Sequence, residues 1–181
     1  ANMYGSNIAD VAVKEMLQNS FDAVKESVKK GQIDTGDIDV AINRNDRTLT
    51  VTDNGVGMTP DIIRKAFFTI GGSAKELDPG ETSGGLGMAK MGVLMGAERV
   101  QIDTVRDGIR TTVDATRDEI AQSNFKIRKS PASKGEHGTK VTLKIPENYI
   151  DTLTGDAKPI YFPWNASSIP IFGKPLVGPT K

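Results

Sequence analysis

The sequence predicts an α+β fold: a two-layer sandwich in which one mixed, mostly antiparallel sheet carries its helices on one face. Three observations carry that expectation. The chain opens on a long stretch of helical period, later segments alternate apolar and polar residues with period two, and short turns join two pairs of those segments. The order is helix, hairpin, helix, a glycine-rich stretch, helix, then several strands.

From about Ser6 to Lys30, Val13, Leu17, Phe21, Val24 and Val28 recur at helical spacing, and Gly31 ends the run. Residues 37–43 and 47–53 alternate, and the short connection Arg44–Asp46 makes them a hairpin. Asn54-Gly55-Val56-Gly57 is a turn. Pro60 opens a helix over roughly 60–68, with Asp61 near its positive end. Residues 70–87 hold six glycines and no sustained period, which reads as a functional lid or a disordered connection. Met88–Met95 reads as a helix. Residues 98–105, 109–116 and 139–145 read as strands, with Asp107-Gly108 a hairpin turn. The stretch 123–129 is a further strand candidate, and Ser130–Gly138 a polar loop. Residues 1–150 therefore form the domain, and 151–181 a separate tail. Five of the nine prolines fall in the last 23 residues, among many large apolar groups including Trp164 and Phe172. Such a tail packs on the domain or leads to a following one.

Composition removes much chemistry. With 181 residues, the chain suits one domain. Cysteine is absent and His137 is the single histidine, so no thiol nucleophile, Cys-based zinc site or multi-histidine metal site can be built within the chain. Twenty-three basic and 23 acidic residues balance, so nucleic acid is not indicated as a partner. No apolar run approaches the ~20 residues a membrane span needs, and no secretory signal is visible. A cytoplasmic location fits best. The chain begins with Ala1, as a piece of a longer protein would.

The chemistry-bearing residues come in four groups. Glu15, Asn19 and Asp22 share one stripe of the first helix, apart from its apolar positions. A solvated face is the plainer reading of such a stripe, although a helical Asn argues for a specific job. Asp53 ends a strand before Asn54-Gly55-Val56-Gly57-Met58. By itself this is a turn, yet an Asp there can accept a hydrogen bond from an exocyclic amine, against a flat wall of Gly57 and Met58. Ser83-Gly84-Gly85-Leu86-Gly87 precedes a helix, where backbone N–H groups favour anions. It is neither a Walker loop nor a dinucleotide fingerprint. Gly138-Thr139 starts the last strand.

In that order, E-x-x-x-N-x-x-D-A, D-N-G-V-G-M, a glycine-rich stretch ending in G-G-L-G, and G-T-K-V-T-L resemble the GHKL ATPases. These are the gyrase-type topoisomerases, ninety-kilodalton heat-shock chaperones, sensor histidine kinases and MutL-type repair proteins. The resemblance spans roughly Ile8 to Ile145 and implies an ATP pocket between sheet and helices. On it, Asp53 binds the adenine amine with help from Thr139 through water, and Gly55, Gly57 and Met58 shape the base site. Asn19 holds Mg²⁺, and Asp22 contacts pocket water or backbone. Gly84, Gly85, Leu86, Gly87 and Met88 wrap the phosphates. Gly72, Ser73 and Lys75 form the lid entry. Glu15 takes the position of the general base, a role suited to phosphoryl transfer, where positioning dominates.

The Asp22-Ala23 pair departs from the sensor kinases, and His137 sits in a loop poorly suited to accept a phosphoryl group. The resemblance is therefore nearer the gyrase, MutL, chaperone and MORC branches. It implies an ATPase whose lid closes on ATP and drives homodimerisation within a larger protein. The alternative is a nucleotide-sensing module with little turnover, because the lysine that such branches draw from a following domain is not visible. Under either reading Asn19 and Asp53 face one shared cavity.

Overall fold

The computed structural model describes residues 3–71, 96–147 and 160–164, with side chains described for 16–65 and 96–147. Within them, β1 (Gly36–Asn43), β2 (Thr48–Asp53), β3 (Arg99–Arg106), β4 (Ile109–Thr116), β5 (Ile127–Pro131), β6 (Gly138–Lys144) and β7 (Ile160–Trp164) form one sheet. Its order is β5-β4-β3-β6-β2-β1-β7. Every described pair is antiparallel, so the sheet has no parallel pairing among the described residues. β7 comes from the proline-rich tail and lies along β1, with Tyr161 opposite Asp39.

The alternation read in the strands becomes rows across the sheet, because directly opposed residues share a face. One buried row runs Val51, Val141, Ile102, Val113, and the next runs Leu49, Leu143, Val100, Ala115. The third row, Asp53, Thr139, Thr104, Thr111, is equally buried but polar. The core face thus changes character at one end of the sheet.

Helix α1 (Met3–Lys29) packs on β1 and β2 through Met16, Leu17, Phe21 and Val24. Its end is a Schellman motif: Gly31 stands at φ +75°, its N–H reaches the Val28 carbonyl, and the Gln32 N–H reaches the Ser27 carbonyl, both at 3.0 Å. Helix α2 (Pro60–Gly71) is capped by Thr59, whose hydroxyl accepts the Ile62 N–H at 3.2 Å. Asp107 and Gly108, at φ +54° and +79°, make the tight β3–β4 turn that a two-residue hairpin needs.

Two boundaries differ from the sequence expectation. Residues 117–121 form a short helix, α3 (Arg117–Ala121), fixed by a capping box in which the Thr116 hydroxyl accepts the Glu119 N–H and the Glu119 carboxylate accepts the Thr116 N–H. β5 consequently starts at Ile127 rather than 123 and runs into Ser130 and Pro131, so the polar loop begins after them. The 88–95 helix expectation falls outside the described residues. Among the described residues no helix is long and apolar enough to cross a membrane.

Candidate nucleotide site

One cavity opens between α1 and the polar end of the sheet. α1 contributes Asn19, Asp22, Ala23 and Glu26, a single stripe at spacings of three and four. Facing them are Asp53 from the end of β2, Val56, Gly57 and Met58 from the following turn, Ile62 of α2, Arg106 and Thr139. Of the residues singled out in the sequence, Asn19, Asp22, Asp53, Gly57, Met58 and Thr139 therefore line the same space. Glu15 lies in α1 one turn before Asn19, outside the described side chains. Gly72, Ser73, Lys75, Gly84, Gly85, Leu86, Gly87 and Met88 lie outside the described residues.

Asp53 is the electrostatic centre. Burial pushes its carboxyl up to about 6, because a charge loses hydration there. The N–H of Gly55, the Ser20 side chain, the N–H of Thr139 and the nearby His137 pull the other way and limit the rise. The Gly55 N–H donates to Asp53 Oδ1 at 2.8 Å. A carboxylate fixed by backbone donors, with the cavity beside it, is an acceptor aimed at a ligand donor.

The turn after β2 is held in place by steric necessity. Gly57 stands at φ +78°, and a Cβ there would meet the Val105 carbonyl oxygen at 2.0 Å. No other residue lets the turn lie this close to β3. Gly55 does not line the cavity. It rests against α1, where a Cβ would lie 2.6 Å from Ala23, and its N–H serves Asp53. The Gly55 carbonyl accepts from His137 Nδ1 at 2.7 Å. The single histidine thus braces the turn after β2. Asp22 accepts from Gln18 Nε2 at 3.1 Å, an exposed contact within α1.

Arg106 and Thr104 are among the contributors not found from the sequence. Arg106 ends β3 and reaches the Gly57 carbonyl at 3.3 Å and Glu26 at 3.4 Å, bridging the turn to α1. Thr104 is fully buried and takes the Met58 N–H on its hydroxyl at 2.9 Å. Thr104 had a usable signal: it is a polar residue in phase with the apolar positions of its strand. Arg106 had none, since its partner Glu26 is 80 residues away along the chain.

The donor set also bears on a metal. Among the described residues no three His, Cys, Asp or Glu side chains gather into a cage. Mg²⁺ does not need one, since it keeps several waters and takes further oxygens from substrate phosphates. Asn19 offers such an ion a side-chain oxygen from the cavity wall; its buried amide nitrogen, which can only donate, has no hydrogen-bond partner among the described residues and calls for an acceptor instead.

The family described as "Histidine kinase-, DNA gyrase B-, and HSP90-like ATPase" matches residues 7–148. The chain is similar to the chaperone protein HtpG of Francisella tularensis subsp. novicida, at 26% identity over 162 residues, covering 80% of this chain and 26% of that protein. It is 32% identical over 166 residues to HtpG of Salinispora arenicola, covering 80% of this chain and 25% of the relative. HtpG of Mycolicibacterium vanbaalenii is 32% identical over 168 residues, with the same two shares. The chain thus spans about a quarter of the length of these relatives.

Proposed function

Because the chain belongs to the histidine kinase-, DNA gyrase B- and HSP90-like ATPases, we propose that it binds Mg-ATP and hydrolyses it, with Glu15 orienting the attacking water. What supports this reading most is the single cavity in which Asn19 and Asp53 meet, one from the helix and one from the sheet. Asp53 accepts the adenine amine, Gly57 and Met58 flank the base, and Thr139 completes the edge. Asn19 holds the metal, which when bound offsets phosphate charge. Glu15, one helical turn before that asparagine, serves the phosphate end of the site. Gly84 to Met88 supply backbone N–H groups to the phosphates, with Gly72, Ser73 and Lys75 at the lid entry. The HtpG relatives are chaperones about three times as long, so we place this chain as the ATP-driven part of a larger protein in which closure over nucleotide promotes dimerisation.

The decisive experiment is single-turnover hydrolysis by wild type and Glu15→Ala at saturating Mg-ATP. The expected loss is on the order of 10²-fold with nucleotide affinity retained. Equal rates remove Glu15 from the mechanism.

A second reading, a nucleotide sensor with little turnover, is favoured by one observation. The only cationic side chain lining the cavity among the described residues is Arg106, already engaged by Glu26 and the Gly57 carbonyl. Sustained multi-turnover phosphate release by the chain would exclude it.

A further inference from the structure

Thr104 stands behind the cavity wall, fully buried in the polar row of the sheet. Its Oγ1 lies 2.9 Å from the Met58 nitrogen, 3.1 Å from the Gly138 carbonyl oxygen and 2.8 Å from Thr139 Oγ1. The Met58 N–H can only donate, and the Gly138 carbonyl can only accept. One hydroxyl proton is therefore shared between two destinations.

If Thr104 donates to Gly138, the Thr139 proton turns back to Thr104, and Thr139 offers only lone pairs to the cavity. If Thr104 donates to Thr139, the Thr139 proton is freed toward the cavity, and Thr139 becomes a donor. Adenine presents an exocyclic amine beside a bare ring nitrogen. The amine suits Asp53, which as a carboxylate only accepts. The ring nitrogen needs a donor, either the Thr139 hydroxyl itself or one water that also serves Asp53. A water donating to both Asp53 and the ring nitrogen has no proton left for Thr139, so Thr139 must donate to it. Both routes require the second arrangement.

We propose that Thr104 is a positioning residue for base recognition, its shared proton setting Thr139 as the donor toward the ring nitrogen of the purine. The proposal rests on the ATP reading above. Thr104 does not line the cavity and acts only through its neighbours. Its second bond, to Met58, ties the same hydroxyl to the wall on which the base lies.

The test compares the dissociation constants of ATP and 1-deaza-ATP, in which the ring nitrogen is replaced by C–H, by calorimetry on the whole chain. Wild type prefers ATP by about tenfold, the worth of one donor aimed at a buried acceptor. Thr139→Val lowers that ratio to about twofold or less; Thr104→Val, which leaves the Thr139 hydroxyl but removes the donor that orients it, lowers the ratio in part, to about fourfold, and Thr104→Ser retains it. A general loosening of the fold would weaken both ligands alike and leave the ratio unchanged. A wild-type ratio near one, a Thr104→Val ratio equal to wild type, or a ratio lost in Thr104→Ser overturns the proposal. Should Thr104→Val not fold, Thr104→Ala and Thr104→Ser give the same comparison. Failure of wild type to bind ATP at all would instead overturn the ATP reading, and this inference with it.

Discussion

Replacing Asp53 by Asn separates the stability of the fold from the use of the site. Burial raises the Asp53 carboxyl from 3.8 to about 6. The folded state therefore holds the proton more tightly than the unfolded chain does. Stability from this group is complete below about pH 4, declines as pH rises through 6, and is constant above. At about 1.4 kcal/mol per unit, the ionised group costs the fold roughly 3 kcal/mol at pH 8 relative to its protonated form. Asn cannot ionise, and its oxygen can still accept the Gly55 N–H. It gives up the second acceptor, which strands a donor such as the Thr139 N–H at a cost of about 1–3 kcal/mol, a cost that does not vary with pH. The difference in unfolding free energy, mutant minus wild type, should rise by roughly 3 kcal/mol between pH 4 and pH 8. Urea unfolding of both proteins at each pH unit measures it, and every other titrating group cancels in the difference. ATP binding should disappear in the same variant. A flat difference would show that burial does not strain the carboxylate. A difference that falls with pH would show that its donors outweigh desolvation.

Other expectations follow from the same geometry. Adenosine affinity of the wild type should be constant above about pH 6 and weaken by up to tenfold per unit below it, because proton and exocyclic amine compete for one acceptor. Calorimetry across pH 4.5–8 reads this without phosphate titration. Gly57→Ala should cost more than about 2 kcal/mol, since its Cβ collides with the Val105 backbone at a positive φ. Thermal unfolding would detect it, and a loss within about 0.5 kcal/mol would mean that the turn can move. Thr116→Ala removes a capping box and should cost about 1 kcal/mol, lowering Tm by roughly 2–4 °C.

What could be read from the sequence was what local physics decides. α1 follows from its apolar spacing and Gly31, the two hairpins from alternation and short turns, and α2 from Pro60. α3 was missed although Thr116 and Glu119 carry the capping-box spacing, because five residues give too little period to see beside a strand that ends at Thr116. Asn19 and Asp53 could be picked out only through their order with the other motifs. Nothing in the 33 intervening positions says that a helix stripe and a strand end face each other; the sheet register does. Arg106 is the extreme case. Its meaning arises only when the end of β3 lies beside both α1 and the turn after β2.

That register also explains why the cavity sits where it does. Two rows of the core face are filled by Val, Leu, Ile and Ala, and a sheet so covered must bury them under helices. The third row places a carboxylate and three hydroxyls at the same depth. Buried polar groups are costly unless they find partners, and here most find them within the row or the adjoining turn: Thr104 with Thr139 and Met58, Asp53 with Gly55. Among the described residues, the Asn19 amide nitrogen and the Thr111 hydroxyl find none. Only Asn19 of these two lines the cavity, and Asp53, though partnered, lies across it with its ionised form strained by burial. A ligand that gives a donor to Asp53 and an acceptor to the Asn19 amide nitrogen relieves both at once. The instability left at this end of the sheet is therefore the free energy with which the fold favours its ligand, and a variant that removes it should be more stable at neutral pH and unable to bind.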